Sequence, residues 1–255
     1  MTQIELQNAL RAADIENFSG EARILLEEFG DDEAALASAL RRRCSREPLQ
    51  YIIGRWPFFR EEYFVSPDCL IPRSDTEVLV EHLVKALPQG AHFLDLCTGS
   101  GCIAISLAKN RPDLVGTAAD ISEGALTMAK KNAAHNGVPS LRMFRTDVTK
   151  PSELTEQFDC IVSNPPYIRS AVVDTLEAEL MHEPRIALDG GADGMDFYRA
   201  IVENYAQNLR DGGCFAFEFG YDQQKDAAAL AAAHGYTFSE IYDYGGNFRA
   251  AILKK

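Results

Sequence analysis

The chain has 255 residues, of which 46% are hydrophobic, and a formal net charge of -13. That length accommodates one large domain, or a medium domain with a small companion. The acidic balance argues against a non-specific polyanion binder, because phosphate contacts need Lys and Arg, and no run of about 18 apolar residues offers a transmembrane helix. The N-terminus lacks the basic start and apolar core of a signal peptide. The six cysteines (Cys44, Cys69, Cys97, Cys102, Cys160 and Cys214) are scattered, with no C-x-x-C pair. Reduced thiols in a cytoplasmic protein are expected. No zinc-like or two-carboxylate spacing occurs, so no metal is expected.

From Ile4 to about Cys44 the apolar residues recur at helical spacing, as at Ile4, Leu6, Leu10 and Ala13. Three helical stretches are expected. Ser19 reads as the cap of the second and Gly30 as its end. The next segment, "EPLQYIIGRWPFFREEYFVSPDCLIPR", is dense in aromatic and β-branched residues with turn formers between them. It predicts short strands or a hairpin, its aromatics serving packing. From Asp75 onward strands and helices alternate. "DTEVLVEHLVKAL" is helical, "AHFLDLC" a buried strand, "CIAISLAKN" a helix and "DLVGTAADI" a strand. A helix follows, capped by Ser122 and stopped by Gly137, then the strand "LRMFRTDV" and the strand "FDCIVS". Two further helices flank the strand "GCFAFEFG", and two strands close the chain. This alternation predicts an α/β fold, a mostly parallel sheet with helices on both faces. The last two strands are too close in sequence for a helical crossover and should pair antiparallel.

"FLDLCTGSGCIAISLA" places Gly99 and Gly101 between a strand and a helix, with Ala104 at the third glycine position of G-x-G-x-x-G. In doubly wound sheets this turn brings a ligand to the backbone at the carboxyl edge. Asp95, Asp120 and Asp147, the last beside Val148, lie at three consecutive strand ends. An acidic residue at the second of these can accept from ribose hydroxyls. Both a nicotinamide dinucleotide and an adenosine with a short cationic tail fit the pattern. Asp95 beside the loop would repel a pyrophosphate and would suit the ammonium and sulfonium of S-adenosylmethionine.

The fourth strand runs into Asn164-Pro165-Pro166-Tyr167. Two adjacent prolines donate no backbone hydrogen bonds and end the strand. Methylating an amide or exocyclic amine requires a delocalised nitrogen lone pair to be localised and aimed. The Asn164 side-chain oxygen and the Pro165 carbonyl, held by proline's fixed φ, are two acceptors for the two N–H hydrogens. Tyr167 can lie flat over the planar group. Positioning of this kind accelerates the reaction without a strong base.

These residues resemble the class I S-adenosylmethionine-dependent methyltransferases with an NPPY motif, and most of all the protein-(glutamine-N5) methyltransferases of bacterial peptide chain release factors. The resemblance is carried by "PLQYIIG", "LIPRSDTEVLVE", "DLCTGSGCIAISLA", "NPPYI", "EPRIALDGGADGMDFYRAI" and "FEFGYDQ". It implies a Rossmann-like sheet, parallel with an antiparallel C-terminal strand, plus a small all-helical N-terminal domain. The division expected is 1–47 for the helical, substrate-docking domain, 48–72 for a hairpin linker and 73–255 for the methyltransferase domain. By the resemblance, Cys97, Thr98, Gly99, Ser100 and Gly101 hold the cofactor's amino-acid part, with Asp95 and Asn164 beside it. Asp120 takes the ribose and Val148 the adenine. Asn164, Pro165, Pro166 and Tyr167 take the substrate amide, with Asn164, Pro165 and Tyr167 catalytic. The cofactor implied is S-adenosyl-L-methionine and the partners are class I release factors, with no membrane and no direct nucleic-acid substrate. The family often has glycine where Cys97 stands, and its "IPRPETE" reads "IPRSDTE" here. An exocyclic amine of DNA or RNA is the alternative substrate, and a nicotinamide-dependent oxidoreductase or a silent binding module are the alternatives from other classes.

Overall fold

The computed structural model describes all 255 residues. Helices α1 (Gln3–Ala12), α2 (Phe18–Phe29) and α3 (Glu33–Cys44) pack their apolar faces into a core of Leu6, Leu10, Ala22, Leu25, Leu36 and Ala39. α1 opens on a capping box in which Thr2 Oγ1 accepts from the Glu5 N–H and the Glu5 carboxylate from the Thr2 N–H. Asp32 caps α3 in the same sense. α2 begins earlier than the sequence suggests. Ser19 lies inside the helix, and its hydroxyl accepts from Gln7 Nε2 of α1 at 3.0 Å, tying two helices together rather than capping one.

The next segment opens on a short helix, α4 (Leu49–Ile53), ended by Gly54 at φ 80°. The expected hairpin follows as β1 (Arg55–Phe58) and β2 (Glu61–Phe64), paired antiparallel. Its aromatics do pack: Phe58 and Tyr63 are buried and meet edge to face at 5.8 Å.

A seven-stranded sheet forms the rest, in the order β5-β4-β3-β6-β7-β9-β8. The strands are β3 (His92–Leu96), β4 (Val115–Asp120), β5 (Arg142–Arg145), β6 (Phe158–Ser163), β7 (Leu209–Glu218), β8 (Thr237–Tyr242) and β9 (Phe248–Lys254). β3 to β7 run parallel, and β9 is antiparallel to both β7 and β8. The helices between them are α5 (Glu77–Ala86), α6 (Cys102–Asn110), α7 (Glu123–His135), α8 (Ser170–Val173), α9 (Asp196–Tyr205) and α10 (Gln224–Ala233). Successive strand residues serve opposite cores. Leu94, Ile161 and Phe215 pack with Tyr198 and Ile201 of α9 and Ala227 of α10. Phe93, Cys160 and Val162 pack with Leu79 and Leu83 of α5 and Ile103 and Leu107 of α6. Strands buried on both faces read as continuous apolar runs, which is why "FDCIVS" was legible as one.

From β3 the chain builds outward through β4 and β5, then returns to β6 on the other side. The reversal opens a crevice at the carboxyl ends of β3 and β6, the usual ligand position in such sheets. β5 stops at Arg145, so Asp147 and Val148 lie in the loop beyond it rather than in the strand.

Candidate active site

The loop from β3 to α6 turns through three left-handed residues, Cys97 at φ 58°, Gly99 at 54° and Gly101 at 83°. Glycine takes that conformation freely, whereas a side chain costs about 1–2 kcal/mol. Cys97 keeps the angle a glycine would use, lines the crevice and packs against the apolar core under α9. A Cβ on Gly101 would stand 2.8 Å from Ile105 Cδ1 and 3.1 Å from Ala129 Cβ, so glycine there lets α6 and α7 close up.

Three polar side chains hold the loop. Asp95 Oδ2 accepts from Thr98 Oγ1 at 2.6 Å and from the Ala104 N–H at 3.2 Å. Asp120 accepts from the Gly99 N–H at 2.8 Å and the Ser122 N–H at 2.9 Å. Asn132 Nδ2 donates to the Ser100 carbonyl at 2.9 Å, while the same amide bridges both backbone groups of Phe64 in the hairpin. Burial pushes the Asp95 carboxyl up to about 7 against the pull of those two donors. Burial also raises Asp120, opposed by its backbone donors.

Asp95 therefore lies beneath the loop and off the crevice wall, acting on the loop through Thr98. The carboxylates that do line the crevice are Asp68, Asp120 and Asp147, with Arg73 the sole basic residue. That imbalance disfavours a pyrophosphate and favours a cationic ligand. The crevice encloses about 310 Å³, and its wall includes Cys97, Thr98, Gly99, Ser100, Asp120, Val148, Asn164 and Pro166. Gly101 stands behind it.

Asn164 leaves the end of β6, and the register Ser163↔Phe217 sets it alongside Glu218 of β7. Its Nδ2 donates to Thr76 Oγ1 at 3.3 Å. Pro165 and Pro166 are buried, and neither carbonyl accepts a hydrogen bond within the chain. The 189–194 loop backs this shelf. Ile168 N–H donates to the Leu188 carbonyl at 2.9 Å and Gly190 N–H to the Ile168 carbonyl at 2.8 Å. Gln223 Nε2 donates to the carbonyls of Tyr167 at 3.3 Å and Gly194 at 3.1 Å. Tyr167 packs against the core beneath α9, and burial raises its phenol.

A second cleft, about 980 Å³, runs from Asp14, Arg43 and Arg46 of the helical region past Trp56 to Tyr167 and Glu218. The two clefts share Leu70, Pro72, Arg73, Asn164 and Ala187. Asn164 thus stands where they meet, whereas Tyr167 lines only the second and Pro165 neither. Arg73 pairs with the buried Glu183 carboxylate, whose second oxygen accepts from the Ile71 N–H at 3.0 Å. The Leu70–Arg73 wall is clamped by this pair. Thr76, Glu183, Gly190, Glu218 and Gln223 carry no chemical signature by themselves. Their signal was membership of segments shared with a family, without a spacing that assigned them a role.

A glycine loop and a proline-stiffened shelf at the switch point of a seven-stranded sheet define a class I methyltransferase. The family model "Methyltransferase small domain" matches residues 73–195. A ribosomal protein L11 methylase from Lactobacillus delbrueckii subsp. bulgaricus has the same fold, at TM-score 0.52 and 21% identity over 72% of this chain and 80% of that one. The release factor glutamine methyltransferase of Agrobacterium fabrum is 40% identical over 88% of this chain and 80% of its own length. That of Geobacter sulfurreducens is 41% identical over 81% and 72%. The chain belongs to the release factor glutamine methyltransferase family.

Proposed function

We propose that the chain transfers a methyl group from S-adenosyl-L-methionine to the side-chain amide nitrogen of the glutamine in the GGQ loop of class I peptide chain release factors. The observation that carries this reading is Asn164 standing in the walls of both clefts, one acidic and small, the other long and open toward the helical region.

In the first cleft Thr98, Gly99 and Ser100, headed by Cys97, would hold the amino-acid part of the donor, Asp120 its ribose hydroxyls and Val148 its adenine. The donor's sulfonium supplies an electrophilic methyl group there. The bare Gly99, with no atom within 4 Å of a built Cβ, leaves its backbone open to a ligand, and Asp120 keeps lone pairs beyond its two backbone donors. These features fit the group. Asn164 Oδ1 and the Pro165 carbonyl would take the two hydrogens of the substrate amide, localising the nitrogen lone pair. The Pro165 carbonyl is free of internal donors, which suits that task. Tyr167 would cover the amide plane. The amide proton turns acidic only after transfer, so no strong base is required.

The second cleft is lined by nine carboxylates and three arginines, an unfavourable surface for a phosphate backbone. This favours a protein substrate over an exocyclic amine of DNA or RNA. We place the docking role on the helical region and the enzyme in the cytoplasm. No helix of the chain is long and apolar enough to cross a membrane. Incubation with a release factor and saturating donor is expected to add one methyl mass to the GGQ glutamine, located by peptide mass spectrometry. Absence of that mass, with the donor demonstrably bound, overturns the reading.

A further inference from the structure

Glu218 ends β7 with its carboxylate enclosed. The residue is 2% exposed, it borders the second cleft, and its Oε2 has no hydrogen-bond partner. Burying a carboxylate and leaving an oxygen unpaired costs stability, so its place beside Asn164 calls for a reason in the site.

The reason lies in its neighbours. Asn164 stands beside it through the β6–β7 register, and Thr76, 2% exposed, approaches from the turn before α5. Thr76 and Asn164 both lie close enough to hold the carboxyl down, against the larger upward push of burial. Asn164 Nδ2 donates to Thr76 Oγ1, which leaves the Thr76 hydroxyl hydrogen free to turn to the carboxylate. An asparagine amide can be rotated half a turn with little change of shape. In the rotated form its Oδ1 faces Glu218, acceptor against acceptor, and its N–H groups face the substrate, where they cannot accept. An ionised carboxylate forbids that form. A neutral group of the same shape does not.

We infer that Glu218, acting through Thr76, is the positioning residue that fixes the rotation of the Asn164 amide, so that its oxygen faces the substrate nitrogen. The inference rests on methyl transfer at Asn164 and adds to it the residues that orient that side chain. Glu218 touches neither donor nor substrate amide in this role. The charged groups facing it are Asp75, from its neighbour Thr76's turn, and Arg249 of β9, which oppose each other. Tyr167 of the shelf, Tyr198 of α9 and Cys102 of α6 also face it.

The test uses full-length enzyme and a release factor. Glu218→Gln is expected to lower kcat on the order of 10- to 100-fold, the scale set by misplacing a positioning group. Affinity for S-adenosylhomocysteine, measured by calorimetry, should stay within about twofold, because Glu218 does not line that cleft. Thr76→Val should lower kcat similarly, and Thr76→Ser should restore it. Wild-type kcat should fall on the acid side as the carboxylate, pushed up to about 7, takes a proton, and Glu218→Gln should lose that dependence. Should Glu218→Gln fail to fold, the Thr76→Val and Thr76→Ser pair decides. Unchanged kcat in folded, ligand-binding variants overturns the inference, as does an acid limb that survives Glu218→Gln in an Asp95→Asn background, Asp95 being the other carboxyl pushed up to about 7. A wild-type enzyme that never methylates the glutamine fails the proposed function instead, before any variant is compared.

Discussion

Gly190→Ala probes how stiffly the NPPY shelf must be held. A Cβ at Gly190 would fall 2.6 Å from Tyr167 Cα and 2.7 Å from the Pro166 carbonyl oxygen, both backbone atoms, where ordinary contact begins at 3.4 Å. The gap to be opened is therefore 0.8 Å on the Tyr167 side, from 3.4 less 2.6. No side chain can rotate away to provide it. The hydrogen bond from the Gly190 N–H to the Ile168 carbonyl resists moving the 189–194 loop, and Gln223 ties the Tyr167 carbonyl to that of Gly194 in the same loop. The displacement must then be taken by the shelf. Overpacking of this kind costs about 1–3 kcal/mol of stability. A shift approaching 1 Å at a positioning group costs about 10²-fold in rate. Steady-state methyl transfer to a release factor measures the rate, and calorimetry with S-adenosylhomocysteine checks that the first cleft is intact, since Gly190 does not line it. Turnover within about twofold of wild type in a folded Gly190→Ala variant would refute the claim that shelf geometry sets the rate.

Asn132→Leu removes the donor to Ser100 and both bonds to Phe64, leaving three backbone groups without partners; about 3–5 kcal/mol should be lost in urea unfolding, and a loss below about 1 would contradict this role. Asp95 has a folded pKa of about 7 against a reference of 3.8, so the folded state holds its proton more tightly. Its stabilising contribution is complete at acid pH and disappears as pH rises through that window. Asp95→Asn should therefore gain on wild type between about pH 4 and about pH 7 by at most roughly 4 kcal/mol, and unfolding curves that stay parallel across that range would dismiss the assignment. Arg43 is 5% exposed and bonds Glu21 at 2.6 Å and Glu179 at 3.0 Å, joining the helical region to the segment after α8. Arg43→Met should cost about 3 kcal/mol in thermal unfolding by stranding Glu21, since Glu179 keeps Arg46 at 2.7 Å, and the R43M/E21Q double should recover most of it.

What could be read from the sequence was what repeats locally. Apolar period and turn residues located nearly every strand and helix, because buried parallel strands and amphipathic helices each write their own pattern. The errors fell where tertiary contact overrode local preference. Ser19 reads as a cap yet serves as an acceptor for Gln7, and "LQYII" reads as strand yet winds into α4 before Gly54. The glycine loop, Asp120 and Asn164 were recognisable because their chemistry needs particular residue types at short spacing. Asp95 was legible as important but not in its task, since burial beneath the loop depends on how α6 closes over β3. Glu218, Thr76, Gly190 and Gln223 lie far from Asn164 in sequence and reach it only through strand register and loop packing. Local composition determines which elements form and which groups can react. Their mutual distance is decided by the sheet order, because contacts between remote segments exist only once the sheet has brought their strand ends to one edge.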